Sequence, residues 1–350
     1  MFQGNHMAMF GPQPRARGTP ARPRPQKAIA AGTLLGAGLM LASCAPGALS
    51  FQSQRIAYEP ADDACRGRVL ALDSTGNFFA ARILAGAAIG AGGGALIGGV
   101  ASQSWNGALI GAISGAVVGG AAGYWSGLEQ QNLSNAALAD RMSGDLSREN
   151  AEIDRTQYTF DRLTDCRFHQ AAEVRAAYRA GRLDRDQAEG RMAELRQLAQ
   201  GDLGLAQLIN DRIQGRGAQF AYATQRLGAP PPPPVPSGNA TVRRAVALKL
   251  TPSPDAPSVE QLRPRERVTV TGGRDGYALV RTPGGTRGYT AASDLAGPGV
   301  RSVHVATVRS SASGGSVGTL AGSNAARRDA FAQSVAVTQS AETSGFQLSS

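Results

Sequence analysis

Residues 83–100 read ILAGAAIGAGGGALIGGV, residues 105–128 read WNGALIGAISGAVVGGAAGYWSGL, and no charge lies between Arg82 and Glu129. Glycine recurs at every fourth position: Gly86, Gly90, Gly94 and Gly98 in the first run, then Gly107, Gly111, Gly115, Gly119, Gly123 and Gly127 in the second. In a helix surrounded by water each glycine costs about 1 kcal/mol relative to alanine, so this set would weaken such a helix by ~10 kcal/mol. Close backbone packing in a membrane-like setting offsets that loss, because small residues four apart let helices approach. As helices the two runs would be ~27 and ~36 Å long, comparable to a bilayer core. Steps of four residues advance a helix by ~400°, so the stripe drifts and favours a right-handed crossing. Ala101–Ser104 and Asn106 supply a polar turn, and Trp105 suits an interface. A helical hairpin over 81–128 is expected.

A leader is expected to bring the chain to its membrane. Arg15, Arg17, Arg22, Arg24 and Lys27 precede Cys44 with no acidic residue among them, and an apolar stretch runs from Ala28 to Leu41. A basic region, a short apolar region and small residues describe a signal peptide over 1–43, too short for a spanning helix. Leu41, Ala42, Ser43 and Cys44 resemble the bacterial lipobox. The resemblance implies that Cys44 is diacylated and becomes the first mature residue, its thiolate taking the lipid. Two or three acyl chains anchor stably where one does not. Ala45 and Pro46 follow Cys44 with no aspartate, which by the rule of enteric bacteria implies the outer membrane, facing the periplasm.

Removing the five basic residues before Cys44 takes the formal charge from +10 to +5. Only two of the 36 basic residues are lysines, Lys27 and Lys249, and no basic cluster is interleaved with aromatics, which argues against nucleic acid. Aromatics are 5% of the chain against 45 glycines and 19 prolines, a composition of small modules joined by linkers. Of the cysteines Cys44, Cys65 and Cys166, setting aside Cys44 leaves a pair in an oxidising compartment, the arithmetic of one disulfide. Free thiols or an intermolecular bond are the alternatives. Reach constrains the bridge: a straight helix over 129–166 puts Cys166 ~55 Å from the hairpin base, unless it breaks near Ser143, Gly144 and Asp145.

From Glu129 to Arg226 the composition turns to Ala, Leu, Arg, Glu, Asp and Gln. Leu146, Ile153, Phe160, Leu163, Val174 and Tyr178 recur near a helical period, followed by Met192, Leu195, Leu198, Leu205, Ile209 and Ile213. Gly181 ends the first helix, and Asp184 with Gln187 forms a capping box for the second. An antiparallel helical hairpin or coiled coil over 129–227 is expected. Asp140, Asp145, Glu149, Glu152, Asp154, Asp161 and Asp165 alternate with arginines and read as a solvated face. His169 near Cys166 has no further ligand to make a metal site.

Pro230–Pro234 and Pro236 form a stiff spacer of ~20 Å within the linker 228–239. Over 240–296, short apolar bursts at Val246–Leu250, Val268–Val270, Tyr277–Val280 and Gly288–Tyr289 are separated by turn residues, which describes a small β-barrel. After Gly297 the chain is rich in Ser, Gly and Ala and is expected to be largely disordered over 297–350. Ser323 or Asn324 would cap one short helix from Ala325 to Thr338, with Phe331 and Val335 on one side.

The glycine stretch resembles the glycine-zipper domains of bacterial outer-membrane lipoproteins and surface antigens. Residues Leu248–Asp255, Arg265–Val270, Gly276–Arg281 and Gly288–Leu295 are similar to bacterial SH3 (SH3b) domains, with Tyr277 where a tryptophan is usual and Lys249 in place of an arginine. That resemblance implies ligand binding to peptidoglycan or a periplasmic protein, with Tyr277 and Tyr289 as candidate contacts. The expected whole is a multidomain α + β chain: signal peptide, lipidated linker 44–80, glycine-zipper hairpin, helical hairpin, spacer, SH3-like barrel and tail. No Ser-His-Asp set or zinc-spaced cluster is present, so neither enzyme activity, cofactor nor metal is expected. The leading reading is a cell-envelope lipoprotein that tethers. The alternative is an oligomeric membrane assembly, a pore or secretion accessory, built through the glycine stripe.

Overall fold

The computed structural model describes residues 60–90, 121–229, 237–301, 303 and 314–348, all within Gly47–Ser350. The leader, the lipobox Leu41, Ala42 and Ser43 with Cys44, the glycines from Gly94 to Gly119 and the prolines 230–236 lie outside the described residues. Four long helices are described: α1 Arg66–Gly90, α2 Asn135–Arg179, α3 Arg185–Arg226 and α4 Val317–Gly345. A helical segment over 121–129 precedes α2. Between α3 and α4 lie β1 Gly238–Val242, β2 Val246–Lys249, β3 Ser258–Leu262, β4 Arg267–Arg274, β5 Tyr277–Arg281, β6 Arg287–Ala291 and β7 Leu295–Ala296.

α2 and α3 form the expected antiparallel hairpin. Ser134 caps α2 by accepting from the Ala137 amide, and α2 ends ahead of Gly181 at φ +69°, a left-handed position that suits glycine. Asp184 and Gln187 make the reciprocal capping box that starts α3. α2 is unbroken at Ser143–Asp145.

α1 corrects the expected linker over 44–80: residues 66–80 are already helical. Cys65 lies beside Cys166 and Gly76 beside Ile209. α1 therefore runs antiparallel to α2, covering ~37 Å at 1.5 Å per residue. That removes the reach problem without an extended strand. Cys65, Val69, Leu72 and Phe79 pack with Ile153, Phe160, Leu163, Ile209, Ile213 and Phe331 as the middle of the core.

The largest departure is the C-terminal tail. Instead of disorder with one short helix, α4 is a 29-residue helix capped by Ser316, and it packs along both α2 and α3. Leu320 joins one end of the bundle, Phe331 and Val335 the middle, and Val337, Ala341 and Phe346 the other end. Ser323 and Asn324 are not caps; both are buried inside the helix. Low apolar content does not leave α4 unpaired, because its polar side chains bond to α2. The Asn324 amide donates to Asn150 Oδ1 at 3.0 Å, and Arg327 Nε donates to Asp154 at 2.8 Å.

The presence of α4 also corrects the solvated-face reading of α2. Asp145 and Glu149 are buried, and Asp161 is largely covered, because helices pack on more than the apolar stripe.

The C-terminal strands form one antiparallel sheet in the order β3-β2-β6-β5-β4-β1-β7. The sheet is not the closed barrel expected: β3 and β7 remain edges, and β7 has only two residues. β2 meets β6 at a single pair, Lys249 with Tyr289, where a Cβ on Gly288 would come 2.6 Å from Leu248. The sheet has its own apolar core of Val242, Leu248, Val268, Val270, Val280 and Leu295. It is not held off by a spacer. Leu250, Leu279 and Tyr289 pack with Phe168, Ala171, Val337 and Phe346 of the bundle.

Candidate functional site

Three features bear on function: the end of the bundle where the glycine stretch joins it, the charged layers within it, and the sheet.

Gly86 and Gly90 lie in α1, and the segment 121–129 holds Gly123, buried, and Gly127, half-buried. Trp125 and Leu128 pack with Leu138, Met142, Leu146 and Phe220 at one end of the bundle. The Tyr124 hydroxyl donates to Asp145 at 3.0 Å, while Arg216 lies 5.4 Å from the Tyr124 ring and Arg226 5.8 Å from Trp125. Burial, and then the Asp145 carboxylate, raises the Tyr124 hydroxyl above its ordinary pKa, so it stays a donor. Cys166 lies 24 positions past Met142 on α2, or ~36 Å, which matches the length of α1. Both flanks of the glycine stretch therefore reach the same end of the bundle, opposite Cys65. Among the described residues no helix is long and apolar enough to cross a membrane.

At the other end Cys65 and Cys166 form a disulfide with Cα atoms 5.9 Å apart, closing a loop that contains the whole glycine stretch. Arg167 beside it is 1% exposed, donating to Asp63 at 2.8 Å and Asp202 at 2.6 Å. Burial opposes the Asp63 charge, but Gln170, the Cys65 amide and Arg167 together hold its carboxyl below the usual range. A second layer pairs Arg216 with Glu149 at 3.3 Å and with Gln219 at 2.6 Å. Asp202 and Arg216 occupy core positions of α3, on the three-four spacing of Ala199, Ala206, Ile209, Ile213 and Phe220. Asp202 stands seven residues from Ile209, and Arg216 seven residues beyond it. That regularity is readable in the sequence. Breaking such a pair leaves a buried charge without its partner, so the layers favour one register of α2 against α3. Gly76 serves the same fit, since a Cβ there would come 2.9 Å from Ile209.

The sheet bonds to the bundle through polar groups as well. One Arg274 nitrogen donates to both Asp161 oxygens, at 2.9 and 2.7 Å, and the guanidinium lies 5.4 Å from the Tyr289 ring. Burial pushes the Asp161 carboxyl up to about 6, outweighing Arg274. Thr251 donates to Asp165 at 3.0 Å. Tyr289, a candidate ligand contact, is only 2% exposed, and its hydroxyl is hydrogen-bonded to Ser334 of α4 at 2.9 Å. Tyr277 is half-buried against the same apolar cluster. α4 packs on the face that the two tyrosines share where Tyr289 lies, and leaves the end of that face exposed. Exposed arginines stand instead at the end of the sheet where β1 and β5 finish and β4 and β6 begin. Arg281 and Arg287 flank the Thr282–Thr286 turn symmetrically, a signal that the sequence carries. Among the described residues no cluster of His, Cys, Asp and Glu could hold a metal.

Residues 64–126 match a family model, the YMGG-like Gly-zipper. The match begins beside Cys65 and runs to the residue after Trp125, so the matched unit includes the turns of α1 that pack on the bundle. Such a match suggests a membrane-associated or envelope protein. No curated protein and no solved structure matches the chain.

Proposed function

We propose that this protein is a cell-envelope lipoprotein of the outer membrane, acylated on Cys44 and held at the bilayer also by the glycine hairpin, which tethers the membrane to peptidoglycan or to a periplasmic protein. One observation carries the reading. The charge-free stretch runs from the last turns of α1 into the segment 121–129, and a disulfide closes the loop around it. An excursion secured at both flanks can enter lipid and return on the same side, while the bundle stays in water. The disulfide fits an oxidising compartment, which agrees with a leader. The body that faces the partner is not a barrel on a spacer but a bundle with a docked sheet, so it would act as one unit.

Membrane fractionation with labelled palmitate tests the reading, wild type against Cys44→Ala. The wild type should carry label and sediment with membranes, and the variant should lose the label. An unlabelled wild type in the soluble fraction would overturn the proposal.

A further inference from the structure

We infer that the arginine end of the sheet is the partner-binding surface, and that it takes a polymer bearing free carboxylates, such as the peptides of peptidoglycan. The inference rests on the tethering reading above and assigns it a site.

The sheet module carries the charge of the chain. Residues 238–301 hold ten basic and five acidic residues, which accounts for the whole +5 that remains beyond Cys44. Those basic residues concentrate at one end. Arg281 on β5 stands directly opposite Arg287 on β6. Arg281 also pairs with Thr269 on β4, two residues from Arg267, so all three arginines share one face. Like charges placed directly across a sheet are destabilising, and all three side chains are exposed. Among the described residues none of the three makes an ion pair. Arg244, by contrast, is paired with Asp294 at 2.7 Å.

The adjoining turn repeats the theme. Glu266 N–H donates to the Arg263 carbonyl at 3.1 Å, Pro264 follows Arg263, and Arg265 sits at φ +66°. That is a type II turn whose third position favours glycine or asparagine, yet it holds an arginine. Arg265 N–H donates to the Val242 carbonyl, which brings Arg243 beside it. Neither the cross-strand pair nor the turn residue helps the sheet to fold, and both add positive charge to one surface.

Arginine forks match carboxylates in two parallel hydrogen bonds. A surface that enters a bilayer would also expose aromatic or aliphatic residues. The exposed large hydrophobics among the described residues are Leu70, Leu133, Tyr158 and Tyr178, all outside the sheet. The polar surface therefore favours a hydrated polyanion over a lipid surface. Tyr277 and Tyr289 lie on the same face as Arg281 and Arg287 but farther along β5 and β6, where Tyr289 is buried and bonded to Ser334 of α4, whereas the arginines at the sheet end are exposed.

The test uses detergent-solubilised full-length protein, sedimented with peptidoglycan sacculi, with sacculi whose carboxyls are converted to amides, and with phosphatidylcholine–phosphatidylglycerol vesicles. The wild type should be retained on native sacculi and at least tenfold less on amidated ones. Arg267→Glu/Arg281→Glu should lose at least tenfold on native sacculi while its melting temperature is unchanged or higher, because the carboxylate introduced on β5 would face Arg287. Retention that ignores both amidation and the double variant would overturn the arginine surface and leave the tether reading intact. A wild type that never binds sacculi would overturn the inference, while the tether reading falls only if the wild type is also unlabelled and soluble in the palmitate experiment. Vesicle binding that depends on these arginines, without sacculus binding, would replace the carboxylate polymer by a lipid surface and also overturn the inference. Should the double variant fail to fold, the wild type on amidated sacculi decides by itself.

Discussion

α3 and α4 both pack along the length of α2, yet they are built from different materials. α3 presents Ala199, Ala206, Ile209, Ile213 and Phe220 at three-four spacing, with Asp202 and Arg216 inserted as charged layers. α4 presents Phe331 and Val335 in its middle, but its first half also meets α2 through Asn324 and Arg327, the latter held within α4 by the Ser323 hydroxyl, which accepts from it. The difference teaches that a helix which joins an existing pair can be ordered by hydrogen bonds to it. Burial of a polar group costs little when its partner is already in place. α3 is recognised by its repeat, whereas α4 resembles a flexible tail until α2 stands beside it.

The comparison can be broken most forcefully at the charged layer of the hairpin. Arg167→Met leaves Asp63 and Asp202 buried without their shared cation, and should destabilise the protein by about 3–5 kcal/mol. Urea unfolding of the full chain measures it, and a loss below about 1 kcal/mol would show that these carboxylates are hydrated.

A pH series sharpens the sheet side of the comparison. The folded Asp161 carboxyl titrates near 6 against an ordinary 3.8, so folding takes up a proton between those values. The contribution is therefore present below pH 4, is lost as pH rises toward 6, and stays absent above it. Its size is at most about 3 kcal/mol. Thermal melts across this range should show the slope in the wild type and not in Asp161→Asn; an identical slope in both would assign it to other groups.

On α4 itself, Asn324→Ala strands the Asn150 carbonyl in the interior and should cost about 1–3 kcal/mol. Hydrogen exchange should then rise in α4 before α3. Equal protection loss in both helices would mean that α4 does not open separately. The smallest effect concerns the sheet end: Arg281→Glu exchanges a repulsive cross-strand pair for an attractive one and should stabilise by about 0.2–1 kcal/mol. A lower melting temperature would show that the arginines already have partners.

The site was legible to an uneven degree. Asp184 and Gln187 announced the start of α3, because a cap depends only on neighbours three residues apart. The glycine spacing announced the family unit, for a repeat needs no tertiary partner to be seen. Asp145 and Glu149 read as surface residues, since the sequence of α2 does not say how many helices surround it. Tyr289 read as a ligand contact because nothing local reveals that Ser334, 45 residues later, takes its hydroxyl.

By itself, the sequence of this protein determined the α2–α3 hairpin, the four strands β2, β4, β5 and β6 and the charge-free glycine stretch, all of which follow from periodicity and composition over short distances. Only the tertiary structure decided that α1 begins at Arg66, that α4 is a core helix, and that the sheet offers arginines instead of tyrosines. Those outcomes depend on which polar groups meet across the fold, and a hydrogen bond between distant residues leaves no pattern in either segment alone.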